Sequence, residues 1–153
     1  MNRRNIVILA VITVIFGLIA FTLLQKNTGI KKIIFTENPA ISASEIKDAE
    51  AQDGFEFTQD SQIYIAILVE NIKAGSKIST QWFIDGNAAG SGVNANDAPF
   101  LLQENNIELK QEGSGVVTVS LARRDNENRP GNYSVNVSLN DSQPARYGFT
   151  VSE

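Results

Sequence analysis

The sequence contains no cysteine and no histidine. Without cysteine the chain has no disulfide framework, no thiol nucleophile and no thiolate metal site. Without histidine it lacks the commonest metal ligand in proteins and the usual general base near neutral pH. These two absences exclude many ordinary catalytic and metal-binding centres.

The sequence also gives little support for catalysis by a serine nucleophile or by a pair of carboxylates. No G-x-S-x-G element marks a serine nucleophile. Asp48 with Glu50, and Asp125 with Glu127, are possible carboxylate pairs of the glycosidase type. Both pairs lie in segments predicted to be exposed, where solvation alone accounts for the charge. We therefore predict a protein that is not an enzyme and that holds no cofactor or metal.

Basic charge is in the minority. The chain has thirteen basic and seventeen acidic residues, which gives a net charge of −4. Three of the basic residues, Arg3, Arg4 and Lys26, flank an apolar run near the N-terminus, so the rest of the chain carries ten basic against seventeen acidic residues. This balance argues against a broad basic surface for nucleic acid.

The run from Ile6 to Leu24 has nineteen residues and no charge. As a helix it measures about 28 Å, close to the hydrocarbon thickness of a bilayer. No small-x-small cleavage pattern follows it, which favours a retained anchor over a cleaved signal peptide. Basic residues lie on both sides of the run, so their count does not decide the orientation. A short basic tail followed directly by a span is the usual layout of a signal anchor, and it predicts that the N-terminus lies inside and the following domain outside the cytoplasmic membrane.

The resulting organisation has four parts: a cytoplasmic tail over residues 1–5, a transmembrane helix over 6–24, a linker over 25–32 and a domain over 33–153, whose core is expected within residues 54–153. Most of this domain is patterned as short β-strands. The predicted strands are residues 31–36, 54–58, 63–70, 77–85, 100–103, 107–111, 116–122, 132–140 and 146–152. Ser42 and Glu45 fit a capping box for one or two helical turns. Short strands with frequent turns predict an all-β sandwich or barrel.

Aromatic residues and turns follow a recognisable order in the second half of the chain. The pattern comprises Phe55, Phe57, Asp60, Ile63, Tyr64, Gly75, Trp82, Gly86, residues 130–133 and residues 149–151. Over about residues 55–153, it resembles prokaryotic extracytoplasmic immunoglobulin-like domains. The resemblance implies a β-sandwich in which Trp82 packs across the core and Tyr133 hydrogen-bonds back to the preceding loop. The cysteine pair of antibody domains is missing, and Ile67 and Val137 are expected to fill that space.

Two loops supply candidate partner-binding residues. The loop over residues 86–99 carries Asn94, Asn96 and Asp97, and the loop over residues 123–131 carries a basic group. The basic group consists of Arg123, Arg124 and Arg129. Residues 94–97 and 125–128 are rich in oxygen, but each lacks the carboxylates that calcium usually needs.

Residues 132–140 alternate apolar side chains with asparagine and serine. Three N-x-S sequences begin at Asn132, Asn136 and Asn140. Their spacing follows from one polar face of a strand. Such a face is also a flat hydrogen-bonding surface that suits a partner or a glycan.

The sequence as a whole predicts an immunoglobulin-like β-sandwich behind one transmembrane helix. Its predicted function is a non-catalytic binding or assembly module that presents the domain to protein or glycan partners outside the membrane. Two alternatives remain open at this point. One is an envelope carbohydrate-processing enzyme that uses carboxylates, and the other is a pilin-like filament subunit.

Overall fold

The computed structural model describes residues 29–50, 54–85, 99–123 and 127–153. The predicted membrane span from Ile6 to Leu24 lies outside these residues. Within the described ranges, no helix is both long enough and apolar enough to cross a membrane.

Eight strands and one short helix make up the described part of the domain. The strands are β1 (Gly29–Thr36), β2 (Phe55–Thr58), β3 (Tyr64–Ile72), β4 (Ser76–Ile84), β5 (Phe100–Leu109), β6 (Gly113–Ser120), β7 (Gly131–Leu139) and β8 (Ala145–Ser152). The helix α1 (Ala43–Asp48) lies between β1 and β2.

The strands form two sheets. One sheet has the order β1-β3-β6, and the other has the order β2-β8-β7-β4-β5. The neighbours are antiparallel, except that β2 pairs with β8 in parallel. The prediction of an all-β fold is thereby confirmed as a two-sheet sandwich.

Strand β4 shows how the pattern of the sequence produces this arrangement. Its buried residues alternate with partly exposed ones, and Ile78, Thr80, Trp82 and Ile84 all face the core. This period of two places one side of the strand between the sheets and the other side toward solvent. Before β4, the chain turns at Gly75, whose φ of +83° suits a residue without a Cβ.

Strand β3 is buried on both sides, because α1 covers the outer face of its sheet. Ile46 of α1 is fully buried against Ile34, Ala66 and Leu68. The helix begins with the predicted capping box, in which the Ser42 side chain accepts from the Glu45 backbone while the Glu45 carboxylate accepts from the Ser42 backbone.

The C-terminal end of α1 is attached to the three-stranded sheet by two lysines. The Lys32 ammonium on β1 donates to the carbonyls of Lys47 and Ala49. The Lys47 ammonium lies 3.1 Å from the carboxylate of Glu70 on β3.

An aromatic cluster joins the two sheets. The Phe149 ring of β8 stacks on Tyr133 at 5.1 Å between centroids and lies 6.2 Å from Trp82. Phe35 of β1 reaches across the sandwich to Phe149 at 4.8 Å. Trp82 is fully buried, and Ile67 and Val137 belong to the same core.

Three sequence-based boundaries differ from the structure. The predicted strands 100–103 and 107–111 are one strand, β5, because Asn105 and Asn106 pair with Thr80 and Ser79 of β4 instead of forming a turn. β1 includes residues 29–32 of the predicted linker, since Ile30 and Lys32 pair with β3. A core confined to residues 54–153 is also too small, since β1 and α1 supply Phe35 and Ile46.

Candidate functional site

Four of the six predicted partner-binding residues lie outside the described part of the chain. These are Asn94, Asn96, Asp97 and Arg124. The remaining two, Arg123 and Arg129, lie in the described parts of the connection from β6 to β7.

This connection packs against the turn between β2 and β3. Arg123 Nη1 donates to the carbonyl of Asp60 at 2.8 Å. The Asn128 side chain, only 5 % exposed, donates to the carbonyls of Ser61 and Gln59 at 2.7 and 3.2 Å. The Asn128 amide protons therefore hold the turn, and the Arg123 guanidinium helps to fix the same turn.

Arg129 is exposed and supports the fold through its backbone. The Tyr133 hydroxyl donates to the Arg129 carbonyl at 2.7 Å. Burial raises the pKa of Tyr133, while the hydrogen bond to Arg129 and its charge act in the opposite direction. The hydrogen bond from Tyr133 thus fixes the Arg129 backbone at this end of the sandwich.

The described residues offer little for catalysis. No group of three or more acidic residues among them is placed to hold a metal ion. Ser44 and Lys47 on α1 match an S-x-x-K pattern, which occurs in some serine hydrolases. Lys47 is paired with Glu70, however, so its ammonium is not placed to act as a base. Asp48 and Glu50 are both exposed, and Asp125 lies outside the described residues.

Within the described residues, the exposed large apolar side chains lie on β5. Phe100 is 67 % exposed, Leu101 45 % and Leu102 43 %. β5 is the last strand of its sheet within the described chain, so one side of its backbone faces away from β4. The sequence pattern predicts a strand here but no binding surface. Phe100, Leu101 and Leu102 are three consecutive apolar residues where a strand with one exposed face would alternate, and this break in the pattern indicates an exposed apolar surface.

A register shift separates the two halves of this edge. Gln103 pairs with Trp82 and Leu101 with Phe83, so Leu102 is an extra residue between them. Beyond the shift, the exposed side chains are polar, among them Glu104 and Glu108. The apolar part of the edge is thus limited to Phe100, Leu101 and Leu102, which we call the β5 apolar edge.

The Gln103 side chain connects β5 to the other sheet. Its Nε2 donates to the Ser120 carbonyl at 3.1 Å, and its Oε1 accepts from the Ala122 backbone at 2.7 Å. One amide therefore makes the pair of hydrogen bonds that a neighbouring strand would otherwise make. This bridge fixes the β5 edge relative to the end of β6.

A shallow cleft of about 350 Å³ lies where β5 turns into β6. Ile72, Leu109 and Val117 form its apolar floor, and Lys110 and Glu112 are the charged residues on its wall. No group of three or more acidic residues placed to hold a metal ion occurs among the described residues, and so none lies in this lining.

The outer face of the five-stranded sheet is polar and flat. One row of paired residues crosses four strands, from Glu104 on β5 through Gln81 on β4 and Asn136 on β7 to Arg146 on β8. Side chains on one face of paired strands are neighbours, so these four form a continuous polar strip.

A second row runs beside the first. It consists of Leu101, Phe83, Ser134 and Gly148 in the same strand order. Phe83 is partly exposed, whereas Ser134 is only 5 % exposed and its Oγ has no hydrogen-bond partner within the described chain. Gly148 has space beside it, because an added Cβ would meet only the Tyr133 carbonyl, at 3.6 Å.

An ion pair lies across this second row. The Arg146 guanidinium is 3.5 Å from the Asp85 carboxylate, although the two residues belong to different rows and to strands on opposite sides of β7. Ser134 lies on β7 between those rows, so the ion pair crosses over it. This geometry accounts for part of the burial of Ser134.

Comparison with known proteins gives no family. No family model and no curated protein matches the sequence. Segments of several solved structures match the chain at low identity and low TM-score. A β-glucosidase from Listeria innocua in complex with gluconolactone is 11 % identical with a TM-score of 0.44, and the match covers 83 % of this chain and 16 % of that one.

Two further structures match at a similar level. DesR, a β-glucosidase from Streptomyces venezuelae, is 16 % identical with a TM-score of 0.40, over 78 % of this chain and 15 % of that one. The Pseudomonas fluorescens alkylpurine DNA glycosylase AlkC is 15 % identical with a TM-score of 0.39, over 88 % and 33 %. The chain thus spans a small part of each, and likeness at these scores carries no argument about function.

Proposed function

We propose that this protein is a membrane-anchored binding or assembly module that presents an immunoglobulin-like domain on the outer side of the cytoplasmic membrane and has no catalytic role. The observation that carries the proposal is the β5 apolar edge, formed by Phe100, Leu101 and Leu102 at the border of the five-stranded sheet. Apolar side chains that are concentrated at one place on a surface are typical of an interface.

The chemistry of the edge favours a protein partner that adds a strand. An unpaired strand offers backbone donors and acceptors, and exposed side chains on it offer pockets or knobs for specificity. Glu104 and Glu108 discourage such pairing along the second half of β5, because a partner strand would have to approach their charges. The partner strand is therefore expected to meet the first half of β5.

Two details support an immunoglobulin-like domain within the β-sandwich. Trp82 on β4 is fully buried between the sheets and lies close to Phe149. Tyr133 near the start of β7 donates to the carbonyl four residues upstream. A buried tryptophan and a tyrosine of this kind occur together in that fold.

The proposal of a membrane anchor is based on the sequence alone. The run from Ile6 to Leu24 carries no charge and has the length of a bilayer span. β1 begins at Gly29, so only about four residues separate the predicted span from the first strand. A domain held this close to the membrane meets partners that are themselves in the membrane or next to it.

Affinity purification of variants at the edge tests the proposal. The full-length tagged chain is extracted in mild detergent, and the captured proteins are identified by mass spectrometry. The double variant Phe100→Asp/Leu102→Asp places two charges on the edge without touching the core. Ala40→Asp, at an exposed position near the start of α1, is the matched control.

We expect one or more membrane-associated proteins to be captured by the wild type and by Ala40→Asp, and at least about tenfold less of them by the double variant. Equal recovery with all three proteins would contradict binding through the edge. Absence of any reproducible partner of the wild type would contradict the proposed function itself.

A further inference from the structure

The outer faces of the two sheets differ in what covers them. On the three-stranded sheet, α1 packs over Ala66 and Leu68 and buries them. On the five-stranded sheet, the outward residues of the described strands include exposed Asn132, Gly148 and Thr150, and no described helix or strand lies over them. The second face is therefore a surface of the domain, and its residues are not explained by packing.

Phe83 is the aromatic residue at the centre of this face. Its neighbours Trp82 and Ile84 point into the core, so alternation directs the Phe83 side chain outward, where it is partly exposed. An aromatic ring on a flat sheet presents its electron-rich face to the C–H groups of a ring that stacks on it. Sugar rings have such C–H faces.

Amide groups surround Phe83 and supply both donors and acceptors. Gln81 and Asn136 lie side by side in the adjacent row. Asn132 lies on the other side, where its Oδ1 accepts from Thr150. Neutral groups that can both donate and accept match the hydroxyls of a carbohydrate, each of which also does both.

Ser134 is the strongest single sign that this face has a ligand. Its Oγ is buried and unpartnered within the described chain, although it is on the polar side of β7. A buried hydroxyl without a partner is costly and calls for an explanation. Gly148 beside it leaves room for a ligand hydroxyl, and movement of the Arg146–Asp85 ion pair above it would open that space.

The charge around the face selects among carbohydrates. Glu56 and Glu104 lie on its margins, and the Arg146 guanidinium is already paired with the Asp85 carboxylate. An acidic polysaccharide or a phosphate-rich polymer would meet uncompensated negative charge. A neutral chain avoids that repulsion.

We propose that the outer face of the five-stranded sheet, centred on Phe83 and Ser134 and bordered by Gln81, Asn136 and Arg146, binds a neutral oligosaccharide or polysaccharide chain. One sugar ring stacks on Phe83, and its hydroxyls bond to Ser134 and to the amides of Gln81 and Asn136. This site adjoins the β5 apolar edge, because Leu101 pairs with Phe83, but Ser134, Gln81 and Asn136 do not belong to that edge. The proposal rests on the proposed binding role and deepens it.

Retention of the full-length chain on immobilised polysaccharides tests this proposal. The protein is kept in mild detergent and applied to cellulose, chitin, mannan and a β-1,3-glucan, with polygalacturonate as the acidic polymer. The variants are Phe83→Ala, Phe83→Leu and Ser134→Ala. Phe83→Leu keeps apolar bulk and so guards against loss of folding. Tyr64→Ala, which removes a partly exposed aromatic ring from the three-stranded sheet, is the matched control.

We expect the wild type and Tyr64→Ala to be retained on at least one of the four neutral polymers and not on polygalacturonate. Phe83→Ala and Phe83→Leu should each weaken retention at least about tenfold, and Ser134→Ala severalfold, at unchanged melting temperature for Phe83→Leu and Ser134→Ala. Failure of the wild type to bind any neutral polymer, stronger binding to polygalacturonate, or equal weakening by Tyr64→Ala would overturn the proposal. None of these results bears on the partner captured through the β5 apolar edge.

Discussion

Tyr133 is the residue that links the candidate loop to the core. Its ring stacks on Phe149 inside the sandwich, while its hydroxyl holds the Arg129 carbonyl at the surface. The aromatic ring thus stabilises the core by its burial, and the hydroxyl stabilises the connection from β6 to β7 by its hydrogen bond. Trp82, by comparison, contributes by burial alone, since its indole nitrogen has no partner within the described residues.

The raised pKa of Tyr133 makes a prediction about alkaline stability. The pKa lies above the ordinary value of 10.0, chiefly because burial disfavours the phenolate. The unfolded chain then loses this proton at a lower pH than the folded protein, so the stabilisation is complete below pH 10 and is lost as the pH rises through the folded pKa.

Urea unfolding of the wild type and of Tyr133→Phe between pH 8 and pH 11 measures this contribution. Near pH 8 the variant should be less stable by about 1 kcal/mol, because the hydrogen bond to Arg129 is lost. The gap should narrow at the alkaline end, since phenylalanine does not titrate. A gap that widens with pH would contradict the assignment.

At the scale of elements, strand β5 is where the sequence was least informative. Asn105-Asn106 resembles a turn, and local preference alone predicts two short strands around it. In the fold, Asn105 Nδ2 instead donates to Thr80 Oγ1 and Asn106 Oδ1 accepts from Ser79, so cross-strand bonds with β4 compensate for the poor strand preference. Such long-range contacts are not encoded in any short window of sequence.

Strands β4 and β7 show the opposite case. Their strict alternation specifies both strand and face, and Trp82 and Tyr133 are buried as the pattern requires. The capping box at Ser42 and Glu45 is local in the same way, and it could be found without any tertiary contact. Register and sheet order determine which outward residues become neighbours, and for that reason the group around Phe83 and Ser134 could not be assembled from the sequence.

The bridge made by Gln103 leads to a prediction about the element as a whole. In Gln103→Glu, the donor to the Ser120 carbonyl is replaced by a carboxylate oxygen, which repels it. We expect the free energy of unfolding to fall by about 1–2 kcal/mol in chemical denaturation. Gln81→Glu, the same change on the outward face of β4, should have a much smaller effect. Equal losses from both variants would show that the bridge has no special role.

At the scale of the whole molecule, the two proposed binding surfaces have to be considered together with the proposed membrane anchor. The described domain offers an apolar edge and a polar face, both on the five-stranded sheet, while the three-stranded sheet is covered by its helix. The protein and carbohydrate partners that we propose lie outside the cytoplasmic membrane. Both proposed binding roles therefore depend on the side of the membrane on which the sandwich lies.

Thiol labelling determines that side directly. The chain has no cysteine, so Glu112→Cys, at an exposed position between β5 and β6, creates a single target. Cells stripped to their cytoplasmic membrane are treated with a membrane-impermeant maleimide before or after lysis. The account predicts equal labelling in both samples, because the domain already faces outward. Labelling that occurs only after lysis would place the domain in the cytoplasm and contradict the account.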